Sequence, residues 1–101
     1  MQIIITARHT DIPDALRARA EDMLAKLGKL AQRAVRAEAI FDVDHQRQIV
    51  ELHMQLPRQQ LLVATAEAAE FRSALDRAVE KLRHQIEKEV GRQHQNQVKT
   101  G

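Results

Sequence analysis

Three consecutive stretches of this 101-residue chain alternate apolar and polar residues with a period of two. No other feature restricts the fold as tightly. Over 36–44, Ala37, Ala39, Phe41 and Val43 alternate with Glu38, Ile40, Asp42 and Asp44. Over 48–56, Val50, Leu52, Met54 and Leu56 alternate with Ile49, Glu51, His53 and Gln55. Over 61–67, Leu62, Ala64 and Ala66 alternate with Leu61, Val63, Thr65 and Glu67. This pattern predicts antiparallel strands with one face covered and the other facing solvent. The links Asp44-His45-Gln46 and Pro57-Arg58-Gln59-Gln60 are of hairpin length, and Pro57 cannot sit inside a ladder.

The flanking segments supply the cover. Residues 2–8 are rich in isoleucine and read as a further strand. His9 to Asp14 then reads as a helix start, with Thr10 or Asp11 as the cap, Pro13 in the first turn and Asp14 at the positive end. Leu16, Ala20, Met23, Leu24, Leu27, Leu30 and Ala31 recur at steps of three and four, predicting a helix over about 13–32. Phe71, Ala74, Leu75, Ala78, Val79, Leu82, Ile86 and Val90 predict a second over about 70–90. From Gly91 the periodicity stops, so a domain over 1–92 is expected to be followed by a flexible polar tail over 93–101. The order β-α-β-β-β-α gives an α+β fold: a four-stranded mixed sheet with two helices packed on one face.

Several function classes drop out. Without cysteine there is no disulfide framework, thiolate metal site or thiol nucleophile. No apolar run approaches the roughly 20 residues of a spanning helix, and no signal-peptide pattern opens the chain, so a cytoplasmic protein without membrane contact is expected. Phe41 and Phe71 are the only aromatic residues and both fall on apolar faces, which removes the stacking platforms that grip unpaired bases. Asp42, Asp44 and His45 lack the spacing of a divalent-metal site and read as edge-strand charges. His53 reads as a solvent-face residue. Ser73 and His84 stand eleven residues apart on one helix, too far for a nucleophile and its base. No enzyme, no cofactor and no small-molecule substrate are expected.

The charges have a direction. Sixteen Lys and Arg stand against fourteen Asp and Glu, a net charge of only +2. On a wheel of about 100° per residue, Arg77, Lys81, His84, Lys88 and Arg92 nevertheless fall within about 80° on one flank of the second helix. Asp76, Glu80 and Glu87 gather on its solvent side. Arg19, Lys26, Lys29 and Arg33 share a flank of the first helix, interrupted by Asp22. One explanation is a solvated face laced with i,i+4 pairs such as Glu80 with His84. Two basic flanks favour a polyanion-binding surface instead, because a merely solubilising surface mixes the signs. Without a helix-turn-helix, zinc site, aromatic ribonucleoprotein motif or Gly-x-x-Gly clamp, backbone recognition of folded RNA remains.

Particular segments resemble the ribosome hibernation promoting factors, the family that includes the ribosome-associated translation inhibitor and the sigma-54 modulation proteins. They are Met1 to Thr6, the helix start Ile12-Pro13-x2-Leu16-Arg17, Ala25-Lys26-Leu27, Leu62 to Glu67, and Ala74-Leu75-Asp76-x4-Lys81-Leu82-x2-Gln85-Ile86-x-Lys88. The resemblance covers about residues 1–90, and the order and spacing of the segments carry it. It implies a βαβββα fold with parallel helices. It further implies binding to the small ribosomal subunit, its rRNA and ribosomal proteins, near the decoding centre where tRNA and mRNA lie, with silencing of idle ribosomes. Positions matching the family's rRNA-contacting residues are Lys26, Lys29, Lys81 and Lys88, with Gln85 as a polar neighbour. Helix geometry adds Arg19, Arg33, Arg77, Arg83, His84 and Arg92. The chain departs from the family's usual pattern at Leu30, Arg72, Glu89 and Val90, and it most resembles the short type, expected to be a monomer when free.

The uncovered sheet face carries Ile4, Ile40, Ile49, Leu61 and Val63 among polar neighbours. That supports an alternative from another class: a protein–protein interaction module or homodimer using this face.

Overall fold

Parallel pairing of two strands needs a crossover connection, and a helix between the first and second strands supplies it. A computed structural model describes the backbone of residues 1–100 and the side chains of residues 1–91. The elements are β1 (Gln2–Ala7), α1 (Asp14–Ala31), β2 (Arg36–Asp44), β3 (Arg47–Gln55), β4 (Leu61–Ala68) and α2 (Phe71–Thr100). They form one sheet in the order β1-β2-β3-β4. β1 pairs with β2 in parallel, whereas β2–β3 and β3–β4 are antiparallel. The fold class is therefore the α+β arrangement expected from the periodicities. Each helix reverses the direction of the strand before it, so α1 and α2 run parallel to one another. α2 continues to Thr100, past the end at about 90 expected from the periodicity, and the side chains of residues 92–101, where the polar tail was expected, lie outside those described.

The core lies between the helices and one sheet face. Ala37, Ala39 and Phe41 of β2, Val50, Leu52 and Met54 of β3, and Ala64, Ala66 and Ala68 of β4 meet Ala20, Leu24 and Leu27 of α1 and Phe71, Leu75, Leu82 and Ile86 of α2. The rings of Phe41 and Phe71 meet edge to face, 5.4 Å between centroids. Burying a leucine or isoleucine contributes about 1.5–3 kcal/mol, so this stripe, and not the exposed ion pairs at about 0–1 kcal/mol each, holds the layers together.

Four expectations are corrected. Neither Thr10 nor Asp11 caps α1: the N-cap is Pro13, whose side chain makes no capping bond and whose carbonyl accepts the N–H groups of Leu16 and Arg17. The Thr10 hydroxyl donates to the Asp11 carbonyl instead. Asp42 and Asp44 are not on an edge strand, since β2 lies between β1 and β3, but they stand past the end of its pairing with β1 at Ala7↔Phe41. Ile40, on the face without helices, is nevertheless buried; Thr6 and Glu51 flank it across the strands, and Glu38 and Asp42 along β2. Arg33 is not on a helical flank, since α1 ends at Ala31 and Arg33 follows with φ 54°.

The β2–β3 hairpin turns on His45 and Gln46, both left-handed with φ 51° and 70°. A two-residue turn of this kind ordinarily carries Asn-Gly, because a Cβ in this region meets the neighbouring carbonyl. Gln46→Gly is expected to raise stability by roughly 0.5–1 kcal/mol. A higher urea midpoint with unchanged denaturant dependence would show it; an unchanged or lower midpoint would refute the strain at Gln46.

Candidate nucleic-acid interface

α2 runs antiparallel to β4, and the two periods nearly match. Four helical residues advance about 6 Å and two strand residues about 6.7 Å, so donors at every fourth helix position face carbonyls at every second strand position. Arg77 Nη1 donates to the Glu67 carbonyl at 3.1 Å, Lys81 Nζ to Thr65 at 2.8 Å, and Gln85 Nε2 to Val63 at 2.7 Å. The acceptors are neutral backbone groups, so Arg77 and Lys81 hold fixed positions with their charges uncompensated. Lys88 is exposed on the same flank and has no carboxylate within 4.0 Å among the described residues. His84, also on this flank, sits 3.3 Å from Glu80.

A second group of the expected residues lies elsewhere. Arg19 reaches from α1 to Asp76 of α2 at 2.9 Å, which places that flank of α1 toward the other helix. Lys26 pairs with Asp22 at 3.1 Å, and Arg83 with Glu80 at 2.8 Å. Lys29 is exposed near the end of α1, and the Arg92 side chain falls outside the described residues. The fold therefore does not merge all these residues into one surface. An outer row follows the β4 edge, and an inner group with carboxylate partners lies toward the inter-helix side. Glu80 and Glu87 stand on the ridge between them by their angular position on α2.

Residues 3–94 match the family model described as sigma 54 modulation protein / S30EA ribosomal protein. The chain belongs to this family. The structure is similar to that of a ribosomal subunit interface protein from Coxiella burnetii, with TM-score 0.80 and 26% identity over 90% of this chain and 99% of that one. It is also similar to the N-terminal domain of Protein Y from Thermus thermophilus, with TM-score 0.75 and 29% identity over 87% of this chain and 98% of that one. Comparison with the curated proteins gives no match. Membership ties the chain to ribosome binding and translation regulation.

Arg77, Lys81 and Gln85, expected from the sequence to face a ligand, also hold a strand edge. The four-residue spacing was the available signal, but it becomes readable only once α2 is known to pack on β4. Arg17 was missed: its Nη1 donates to the Ile5 carbonyl on the opposite edge strand at 3.3 Å.

The uncovered face has a different chemistry. Glu38 accepts from the Thr6 hydroxyl at 2.9 Å, Glu51 lies 3.1 Å from His53, and Glu67 lies 3.7 Å from Arg47. His53 is on this face, as its alternation predicts. Asp42 is held below the ordinary carboxylate range, first by its hydrogen bond with His9 at 3.0 Å and then by the Val43 N–H. A depressed pKa makes the contribution of Asp42 to stability present above its unfolded value of 3.8 and lost as pH falls through the folded value. His9→Ala is expected to move the Asp42 carboxyl titration upward toward 3.8 and to flatten the acid-side loss of stability. An NMR titration of Asp42 with no upward movement would contradict the assignment to His9.

Proposed function

We propose that this chain binds the small ribosomal subunit near the decoding centre through rRNA phosphates, blocks tRNA and mRNA there, and keeps idle ribosomes silent. One observation carries the assignment of the surface. On the outer flank of α2, Arg77 and Lys81 are held by acceptors that leave their charge intact, whereas Arg19, Lys26 and Arg83 each have a carboxylate partner. A lysine has three N–H donors and an arginine five, so one bond to a carbonyl leaves the others for phosphate oxygens. Lys88 extends the same flank. With two aromatic residues, both in the core, recognition runs through backbone and shape and not through stacked bases. Family membership supports the ribosome as the partner.

The test separates placement from overall charge. Lys81→Gln with Lys88→Gln keeps an N–H donor at Thr65 while removing two charges. Affinity for small subunits, measured by sedimentation over a salt series, is expected to fall, with the log–log salt slope reduced by roughly 1.5–2. The control Arg36→Gln with Arg58→Gln, which removes two charges that are not on the α2 flank, is expected to leave the slope unchanged. Equal losses in both pairs would mean non-specific adhesion. A flat salt response of the unaltered chain would move the contact to the sheet face, where Leu61 and Val63 are exposed.

A further inference from the structure

β4 is an edge strand with the features that invite another strand. Only β3 pairs with it, in a continuous register from Gln48↔Ala68 to Gln55↔Leu61. Its first six residues, Leu61-Leu62-Val63-Ala64-Thr65-Ala66, carry no charge and no proline, the composition of segments that add edge to edge. Leu61 is 49% and Val63 39% exposed, so the apolar character continues onto the uncovered face. Natural edge strands are ordinarily blunted by a lysine, a proline, a bulge or very short length. β4 is eight residues long and its one charge, Glu67, lies near its end.

The protection comes from α2. In a strand, carbonyls at alternate residues point away from the paired neighbour, and here those are Leu61, Val63, Thr65 and Glu67. The last three of the four are occupied, by Gln85, Lys81 and Arg77 respectively, and the guard leaves out only the Leu61 carbonyl at the start of the strand. Gln85 is the informative member, because it joins the row without a charge to offer.

We propose that Arg77, Lys81 and Gln85 guard the β4 edge, and that the partner they exclude is β4 of a second copy of this chain. Two identical strands meeting antiparallel about a two-fold axis form a closed, self-complementary contact through the same carbonyls. They would also set the exposed Leu61 and Val63 of each copy beside the other sheet, extending one four-stranded sheet into eight strands. The guard holds the carbonyls in the free chain whatever the row binds beyond it.

The triple variant Arg77→Met, Lys81→Met, Gln85→Met keeps long side chains and helix-forming residues while removing every donor to the edge. The control Lys26→Met, Lys29→Met, Ser73→Met loses the same two charges and gains as many exposed methionines, but leaves the edge bonds in place. Sedimentation velocity over a concentration series is expected to show dimers of the triple variant at far lower concentration than the unaltered chain, about tenfold lower for each freed carbonyl. The control should behave as the unaltered chain. A triple variant that is folded by circular dichroism and no more associated than the unaltered chain overturns the proposal. So does equal association of the control, which would assign the effect to lost charge. If the triple variant does not fold, the charge-neutral Gln85→Met decides by the same readout: earlier dimerisation supports the guard, and unchanged behaviour refutes it.

Discussion

The seating of α2 on β4 is the constraint on which the rest of this structure depends. The inward residues of β4 are Ala64, Ala66 and Ala68, and α2 presents Ala74 and Ala78 among its buried residues. Small side chains on both elements let helix and strand approach closely, while Leu75, Leu82 and Ile86 are fully buried in the core. Larger residues on β4 would lift the helix, and side chains of ordinary length on its flank would no longer reach the strand edge. The close approach is thus a packing result with a polar consequence: three carbonyls of an edge strand receive donors from a helix.

That consequence sorts the charges of the surface. A cation held by a carboxylate is neutralised as a pair, and at an exposed site the pair contributes little to stability. A cation held by a carbonyl is positioned without being neutralised. Arg77 and Lys81 belong to the second kind, and Arg19, Lys26 and Arg83 to the first. A net charge of only +2 can therefore coexist with a strongly basic row, because most acids are engaged elsewhere. Glu38, Asp42, Glu51 and Glu67 lie on the opposite sheet face, and Asp22, Asp76 and Glu80 answer individual basic residues on the helices. The basic row is thus a local feature of the α2 flank beside β4 and not a property of the whole helix side, which also carries Asp22, Asp76 and Glu80.

The two sheet edges are treated unequally. β4 has three side-chain donors from α2, whereas Arg17 of α1 reaches one β1 carbonyl. The inequality follows from what covers each edge. Gly28 and the Met1 side chain occupy the side of α1 toward β1, where α2 has its basic row toward β4.

The alternating stretches and the helical repeats determined the element order, the mixed sheet and the buried face, because side-chain period follows directly from backbone geometry. Phe41, Phe71, Leu82 and Ile86 were legible as core for the same reason, and the flank shared by Arg77, Lys81 and Lys88 was legible from angle alone. Position along one element is a local property, and the sequence carries it in full. What each charged group faces is not local. Whether Lys81 meets a carboxylate, a carbonyl or solvent depended on α2 lying over β4, and whether Arg19 and Lys81 share a surface depended on which flank of α1 turns toward α2. The burial of Ile40 on an open face, Arg33 falling past the end of its helix, and Asp42 meeting His9 from the other end of a parallel crossover were decided in the same way. Apart from the end of α1 before Arg33, which is set by the local backbone at Gln32 and Arg33, these arise from residues distant in sequence brought together by packing, and no periodicity in the chain records that distance.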